Sequence, residues 1–407
     1  FWLKVSARQP CNHTKCCGPS RPMPRAFPTF NYATLKEQPV AGTPTPPLAP
    51  DKIAATMGAA MPLLQGHFIS PCLYSCALLD VATIIGSRGV PLSAGEIAEE
   101  VQKRAEGAKP TVHVDALQRQ LRLLSQVGVF EESQGPKFAL TDFSNLLRTD
   151  QPQPCLRWAV LSWSEPPFMA ATGKLPDLTA LAGGTQLSMA DCPFTYATGS
   201  GVFEYYQAHP ESGVPFDKFM TTFSAPEIPS TLAWPGWTEL PKGSKVCDLG
   251  GGLGHVGLAL KEQYPDLEVT VVDQPPVVAK AEKTEKVTFL GGDFFNPAEI
   301  PKSDVIYVKH IIHDWNDEAS AKILKGCWGA LPVGGKVLIV DAVLPEPGEK
   351  DPAMAGAFFI DFVMLRISSK ERAKAEFQTL METAGFKLDS ITPSPQPNGQ
   401  MICGIKQ

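Results

Sequence analysis

The pattern of hydrophobic and polar positions changes character along the chain. The first 50 residues contain ten prolines and show no hydrophobic period, which predicts a disordered tail. Apolar side chains then recur at helical spacing, and the C-terminal part alternates short β-rich runs with helical stretches. We therefore expect a tail at 1–50, a helical unit at 51–155, linking helices and a pocket segment at 156–240, and an α/β domain at 241–407.

The helical unit begins with apolar positions that share one helical face. They are Leu73, Ala77, Leu78, Val81, Ile84 and Ile85, and Gly86 and Gly89 end the run. Ser93 precedes Glu96 by three positions, which is a capping-box signature. This pattern predicts a single helix over the first run and a second helix over Ala94–Arg104.

A further apolar stripe runs from Leu117 to Val127, and two short strands follow at 129–131 and 137–140. Helices followed by a hairpin are typical of a winged helix, a fold that often binds DNA. However, residues 92–150 hold seven basic and nine acidic side chains, so they offer little attraction for phosphates. We therefore favour dimerisation or scaffolding for this unit over nucleic-acid binding.

Five β-rich runs follow beyond Gly243: Lys245–Leu249, 269–272, 287–290, 305–308 and 336–343. Strands that alternate with helical stretches predict a doubly wound parallel sheet with helices on both faces. In such a sheet the ligand lies at the carboxyl ends of the strands. This edge is where candidate binding residues should be sought.

The first of these runs leads into a glycine-rich loop, Asp248-Leu249-Gly250-Gly251-Gly252-Leu253-Gly254. The loop fits two patterns: GxGxxG at Gly252, Gly254 and Gly257, or an acidic residue followed by GxGxG at Asp248, Gly250, Gly252 and Gly254. A carboxylate at the mouth of the loop would repel a dinucleotide pyrophosphate, but it suits an amine and a sulfonium. Charge therefore favours S-adenosylmethionine over NAD.

Two more acids follow later strands of the predicted sheet. Asp273 ends the second strand, where a carboxylate can accept both ribose hydroxyls, and Asp293 follows the third strand beside Phe294. Asp293 could accept a hydrogen bond from the adenine amino group. Acids at three successive strand ends strengthen the prediction of an S-adenosylmethionine site.

Composition and charge exclude several other classes of protein. With 407 residues, 43% hydrophobic and 19% charged, the chain is globular and long enough for two or three domains. Beyond residue 50 it carries 30 basic and 41 acidic side chains, a net charge of −11 that disfavours nucleic acid. The longest apolar stretch, 68–86, is interrupted by Pro71 and Asp80, so no membrane span is expected.

The ten cysteines include no CxxC pair, which fits reduced thiols and a cytoplasmic protein. The first 50 residues carry six basic side chains and one acid, a character shared by organellar transit peptides. A plastid or mitochondrial address is therefore an alternative to the cytoplasm.

The chain resembles the plant caffeic-acid-type and acetylserotonin-type class I O-methyltransferases from about Ala54 to its C-terminus. The resemblance rests on the glycine loop, on residues 308–317 (Val-Lys-His-Ile-Ile-His-Asp-Trp-Asn-Asp), on 336–345 and on Lys370-Glu371-Arg372. It implies a winged-helix-like dimerisation domain, a Rossmann-like cofactor domain and a homodimer. The implied activity is methyl transfer from S-adenosylmethionine to a small aromatic acceptor, with S-adenosylhomocysteine as product.

The resemblance also implies roles for particular residues. His313 takes the place of the general base, flanked by the carboxylates of Asp341 and Glu371, and Lys309 takes the place of a cofactor-side lysine. An imidazole that titrates near 6.5 can accept the proton of a phenol, which titrates near 10. Relatives commonly have Glu at the position of Asp341, and the shorter aspartate leaves Glu371 as the principal candidate to orient His313.

Four residues are candidates for the acceptor pocket: Phe216, Met220, Trp163 and His310. Aromatic walls suit a flat ligand. His310 stands where relatives often have Trp, and it forms an i, i+3 pair with His313 that is reminiscent of metal sites. No third ligand at convincing spacing accompanies the pair, so we expect no metal.

Three other functions remain open at this point: an N- or C-methyltransferase on the same scaffold, a non-catalytic cofactor-binding regulatory dimer, and an NAD-dependent oxidoreductase. The acceptor is also open among hydroxyindoles, phenylpropanoids, flavonoids and polyketide phenols, because the pocket depends on how residues 151–235 fold.

Overall fold

A computed structural model describes residues 48–105, 107, 111–151, 154–179, 192–282, 284–394 and 399–407. The predicted disordered tail at residues 1–50 lies outside the described residues, apart from its last three positions.

The N-terminal unit consists of six helices and three short strands. They are α1 (Pro50–Gln65), α2 (Ile69–Leu78), α3 (Val81–Arg88), β1 (Leu92–Ser93), α4 (Ala94–Arg104), α5 (Val114–Gln126), β2 (Phe130–Ser133), β3 (Lys137–Leu140) and α6 (Asp142–Asn145). The strands form a sheet in the order β1-β3-β2, with antiparallel neighbours. This arrangement confirms the predicted winged-helix-like fold.

The helix predicted after Ser93 is confirmed together with its cap. Ser93 Oγ accepts the Glu96 amide at 3.3 Å, and Glu96 Oε2 accepts the Ser93 amide at 2.7 Å. Side chains of α4, α5 and the hairpin then close a core whose members are at most 1% exposed: Ile97, Leu121, Leu124, Phe130 and Phe138.

The single helix predicted over residues 73–85 is wrong, because the chain breaks between α2 and α3. Asp80 adopts a left-handed conformation with φ of 55°, and its carboxylate accepts the Thr83 hydroxyl at 2.7 Å. Aspartate tolerates this conformation better than most residues. The helical spacing continues through the break, so the hydrophobic pattern alone could not reveal it.

Between the two domains, the described residues form the helices α7 (Arg157–Trp163), α8 (Pro166–Thr172), α9 (Leu175–Thr179), α10 (Pro193–Thr198), α11 (Val202–Ala208), α12 (Pro210–Ser224), α13 (Ile228–Leu232) and α14 (Gly236–Glu239). Helix α12 matters most for the site. Its residues Phe216, Phe219, Met220 and Phe223 are spaced to share one helical face.

The C-terminal domain contains nine strands and five helices: β4 (Lys245–Leu249), α15 (His255–Gln263), β5 (Glu268–Asp273), α16 (Pro275–Val278), β6 (Thr288–Gly291), β7 (Val305–Lys309), α17 (Asp317–Ala330), β8 (Lys336–Asp341), β9 (Val343–Leu344), α18 (Ala355–Leu365), β10 (Arg372–Ala373), α19 (Lys374–Ala384), β11 (Phe386–Thr392) and β12 (Gln400–Lys406). Seven of the strands form one sheet in the order β11-β12-β8-β7-β4-β5-β6.

The predicted doubly wound sheet is confirmed for β4 to β8, which run parallel, but not for its last two strands. Strand β12 is antiparallel to both β8 and β11, so the sheet is mixed. Only residues 393–399 separate β11 from β12, and strands joined by a short connection can pair antiparallel. Strands β9 and β10 form a separate parallel pair beside the main sheet.

Among the described residues, no single helix is both long and apolar enough to cross a bilayer. One pair of segments, Thr56–Leu78 and Val81–Arg88, meets the length and composition criteria together, with a bend of 56° at the break.

Candidate functional site

The glycine loop joins β4 to α15 and lies against the end of β5. The amides of Gly250 and Gly251 both donate to the Val272 carbonyl, at 2.7 and 3.2 Å. The Gly252 amide donates to Asp273 Oδ2 at 2.8 Å. A Cβ at Gly251 would lie 2.7 Å from Asp248 Oδ2, so this turn requires glycine.

Asp248 lies beneath the loop and not at its mouth, where the sequence analysis had placed it. Its side chain is 2% exposed, and Oδ2 accepts the Gly257 amide in the first turn of α15 at 3.1 Å. Burial raises the pKa of this carboxyl to about 7, although the Gly257 amide and Lys309 oppose the shift. The Asp248 carboxyl therefore positions the loop from beneath.

The two other predicted cofactor acids lie at neighbouring strand ends. Asp273 ends β5 and also accepts the Gln274 amide, at 2.7 Å, and burial raises the pKa of its carboxyl. Asp293 is exposed and accepts the Phe295 amide at 2.9 Å. The half-buried Phe294 ring meets Trp315 edge-on, with 6.0 Å between ring centroids. These residues can hold a ribose and a base, and the open backbone at Gly252 leaves room for a ligand.

The candidate base is brought into place by the ends of neighbouring strands. His313 follows β7, Asp341 ends β8, and Glu371 precedes β10, whose pairing with β9 places it at the same edge. His313 Nδ1 lies 2.6 Å from Glu371 Oε1. Asp341 contacts the His313 backbone instead of its ring, since its Oδ2 accepts the His313 amide at 3.1 Å.

Arg372 holds the loop that carries His313. Its guanidinium is 0% exposed and donates to the carbonyls of Ile312 and Trp315, at 3.1 and 2.8 Å. It also pairs with Asp317 at the start of α17, with 2.9 Å between Nη2 and Oδ1. The residue next to Glu371 therefore fixes the loop on which the base lies.

The buried charges determine the protonation of His313. Burial opposes a charge on the ring, but the field of Glu371, Asp341 and Asp314 outweighs it and raises the pKa of His313 to about 10. Burial in turn raises the pKa of Asp341 to about 7, against the opposing field of His313. The field of these acidic groups therefore favours a protonated His313 ring near neutral pH.

Lys309 and His310 meet a residue that the sequence analysis did not identify. Glu227 Oε2 lies 3.0 Å from Lys309 Nζ and 2.8 Å from His310 Nε2. Lys309 also donates to Ser224 Oγ at 2.6 Å. Neither Glu227 nor Ser224 belongs to a recognisable motif, so no pattern in the sequence could have indicated them.

His310 is buried, and its ring stacks on His313 with 5.2 Å between centroids. Burial lowers the pKa of His310 to about 4, with Glu227 opposing the shift. The spacing of the two histidines in the sequence indicated no third metal ligand, but the fold brings Asp341 next to them. One possible metal-ligating atom from each of His310, His313 and Asp341 lies within 4.8 Å of the other two. The absence of a metal stays a prediction.

The aromatic candidates form a row that leads to the base. Trp163 packs edge-on against Phe219 at 4.9 Å, Phe219 lies 5.4 Å from Phe223, and Phe223 lies 5.6 Å from His310. Phe219 was missed, although its spacing from Phe216 and Phe223 on α12 could have indicated it.

Phe216, by contrast, stacks on Tyr206 at 4.7 Å within a separate aromatic cluster, and Met220 is half-buried. The structure thus places Trp163 and His310 at the two ends of the row, and Phe216 outside it.

Comparison with known proteins agrees with this geometry. Residues 61–150 match the O-methyltransferase dimerisation domain, and residues 178–387 match the O-methyltransferase domain. Tabersonine 16-O-methyltransferase from Catharanthus roseus is 31% identical over 336 residues, which cover 80% of this chain and 90% of that relative.

Solved structures share the fold over most of the chain. CalO1, a methyltransferase of calicheamicin biosynthesis solved with S-adenosylhomocysteine, aligns with a TM-score of 0.67 and 26% identity over 89% of this chain and 100% of its own. Human N-acetylserotonin methyltransferase, solved with S-adenosylmethionine, is 20% identical with a TM-score of 0.70 over 86% of this chain and 97% of its own, and shows the fold alone. The chain therefore belongs to the family of S-adenosylmethionine-dependent O-methyltransferases that carry a dimerisation domain ahead of the O-methyltransferase domain.

Proposed function

We propose that this O-methyltransferase transfers a methyl group to a hydroxyl of a small aromatic acceptor, with His313 as the general base. The observation that carries the proposal is the buried pair of His313 Nδ1 and Glu371 Oε1, 2.6 Å apart, beside the glycine loop. Relatives named for tabersonine, flavone and caffeic acid acceptors support the acceptor class.

S-adenosylmethionine supplies a sulfonium-bound methyl group that a nucleophilic oxygen can attack. The glycine loop, Asp273, Asp293, Phe294 and Lys309 are the residues we assign to holding it. Asp248 holds the glycine loop from beneath, since its carboxyl accepts the Gly257 amide. Alignment of the two reactants and exclusion of water then provide most of the rate enhancement.

The contact with Glu371 fixes the orientation of the His313 ring. Because Nδ1 faces the carboxylate, Nε2 is the nitrogen left to accept the acceptor proton. The sulfonium of S-adenosylmethionine is a positive charge, and a positive charge near His313 disfavours the protonated ring. Cofactor binding therefore shifts His313 toward the neutral form that can act as a base.

Trp163 and Phe223 are the half-buried rings of the aromatic row, and we assign them to the acceptor, with the buried Phe219 packed between them. A base would also serve an N- or C-methyltransferase on the same scaffold. The match to the O-methyltransferase domain and the relatives named as O-methyltransferases support a hydroxyl acceptor over these alternatives.

We also propose that the protein is a homodimer. Helices α1 and α18 present large apolar side chains to solvent, among them Leu63 (84% exposed), Leu64 (67%) and Phe359 (76%). Exposed apolar patches of this kind mark interaction surfaces. The match to a dimerisation domain over residues 61–150 identifies a second copy of the chain as the partner.

The test is a turnover screen with S-adenosylmethionine and a panel of hydroxyindoles, phenylpropanoids, flavonoids and polyketide phenols. We expect O-methyl ethers from at least one class, with the methylated atom assigned by NMR of the product. Methylation only at nitrogen or carbon, or no turnover of any phenol, would contradict the proposal.

A further inference from the structure

Glu227 is a buried carboxylate that the proposed mechanism does not use. It is 2% exposed and lies on the turn between α12 and α13, outside the main sheet. Its Oε2 contacts both Lys309 Nζ, at 3.0 Å, and His310 Nε2, at 2.8 Å. A carboxylate between α12 and α13 thus contacts two consecutive residues, Lys309 and His310, at the end of β7.

His310 has the unusual backbone conformation at this point. Its φ is 52°, a left-handed value that is unfavourable for a residue with a Cβ. Its amide still donates to the Val340 carbonyl at 3.0 Å, which continues the pairing of β7 with β8. The chain therefore turns sharply while it remains attached to the sheet, and the contact from Glu227 to the ring helps to hold that turn.

The turn at His310 determines where the base lies, because His313 follows three residues later. The two imidazoles stack with 26° between their planes. Asp341 joins them, since Oδ2 accepts the His313 amide at 3.1 Å while Oδ1 lies 3.8 Å from His310 Nδ1. Displacement of the His310 ring would therefore be transmitted directly to His313.

Glu227 also neutralises a cation on the cofactor side of the site. The Lys309 side chain is 8% exposed, and Glu227 is its ion-pair partner among the described residues. Gly399 approaches so closely that a Cβ there would lie 3.0 Å from Glu227 Oε1. The carboxylate is thus enclosed and has little freedom to move.

We propose that Glu227 is a positioning residue for methyl transfer, holding Lys309 and His310 so that the His313 ring stays aligned with the cofactor loop. The proposal rests on the proposed function of His313. It assigns no proton transfer to Glu227 itself.

The first test compares Glu227→Gln with wild type, using Glu239→Gln, at an exposed position of α14, as the control. Glutamine keeps the size and one hydrogen-bond acceptor but removes the charge. We expect kcat at saturating cofactor to fall roughly ten- to hundredfold through misalignment, with the acceptor KM within about threefold of wild type. An unchanged kcat at saturating cofactor would overturn the proposal.

The second test is a double-mutant cycle with His310→Asn, since asparagine tolerates the left-handed backbone. If Glu227 acts through His310, the two substitutions are strongly non-additive in kcat. Additive effects would show that Glu227 acts by another route.

A third measurement does not depend on activity. In ¹⁵N-histidine NMR spectra, with signals assigned by their loss in His310→Asn and His313→Gln, we expect Glu227→Gln to shift the ring signals of both histidines. Unchanged His313 signals would overturn the positioning role even if the protein methylates no phenol.

Discussion

At the scale of single residues, the site depends on a histidine surrounded by negative charge. Glu371, Asp341 and Asp314 together raise the pKa of His313 to about 10, so the ligand-free ring is protonated near neutral pH. A base in this state must lose its proton before it can act, and binding of a cationic cofactor provides the driving force.

This coupling predicts that S-adenosylmethionine binds more tightly as the pH rises from about 7 to 9. Binding of the cation releases a proton from His313, so Kd should fall by up to roughly tenfold per pH unit. S-adenosylhomocysteine lacks the sulfonium charge and should show a weaker dependence. Isothermal titration calorimetry at several pH values measures both ligands.

The carboxyl groups of Asp248 and Asp341 also titrate near pH 7 and add to the dependence. The control is therefore His313→Gln, in which the slope for S-adenosylmethionine should flatten. Equal slopes in wild type and variant would mean that His313 does not carry the released proton.

The sequence identified His313, Asp341 and Glu371, but their contacts could be seen only in the fold. Motif positions do not show depth, which is why Asp248 was expected at the mouth of the loop and lies beneath it. Likewise Asp341 meets the His313 backbone, because a rotamer cannot be read from spacing.

At the scale of elements, the short glycine loop that connects β4 to α15 forms the predicted cofactor site. Strands β4 to β8 were located from their β-rich runs within one or two residues of their ends. The antiparallel β11 and β12 were not expected. The direction of a strand depends on how its connection brings it to the sheet, and the local hydrophobic pattern does not show this.

The loop gives a prediction for Gly251→Ala. The added methyl group would lie 2.7 Å from Asp248 Oδ2 and 2.8 Å from Val271 Cγ1, so the loop must shift. We expect the affinity for S-adenosylmethionine to fall at least about tenfold, measured by calorimetry. Gly95→Ala is the matched control, because a Cβ there meets only Ser93 Oγ, at 3.9 Å. Wild-type affinity in Gly251→Ala would contradict the assigned site.

At the scale of the whole molecule, the N-terminal unit leaves apolar side chains of α1 exposed, and a dimer would cover them. The net negative charge of the residues beyond position 50 disfavours nucleic acid as the partner. The match to a dimerisation domain favours a protein partner. The helical pattern of this unit could be predicted from sequence, but the exposure of particular side chains could not.

We predict that multi-angle light scattering gives twice the chain mass of 43.9 kDa at micromolar concentration. Replacing Leu63 and Leu64 by Asp should weaken the dimer by placing charges in an apolar contact. Lys52→Asp, at an exposed polar position of α1, is the control for added charge. A single-chain mass for wild type at all concentrations would contradict the predicted homodimer.

The most direct test of the whole account is the single-turnover rate of methyl transfer from S-adenosylmethionine to an accepted phenol, in wild type and His313→Gln. We predict a loss of about 10²- to 10⁴-fold in the variant, with both proteins saturated with cofactor. Methyl transfer at the wild-type rate by His313→Gln would contradict the assignment of His313 as the general base.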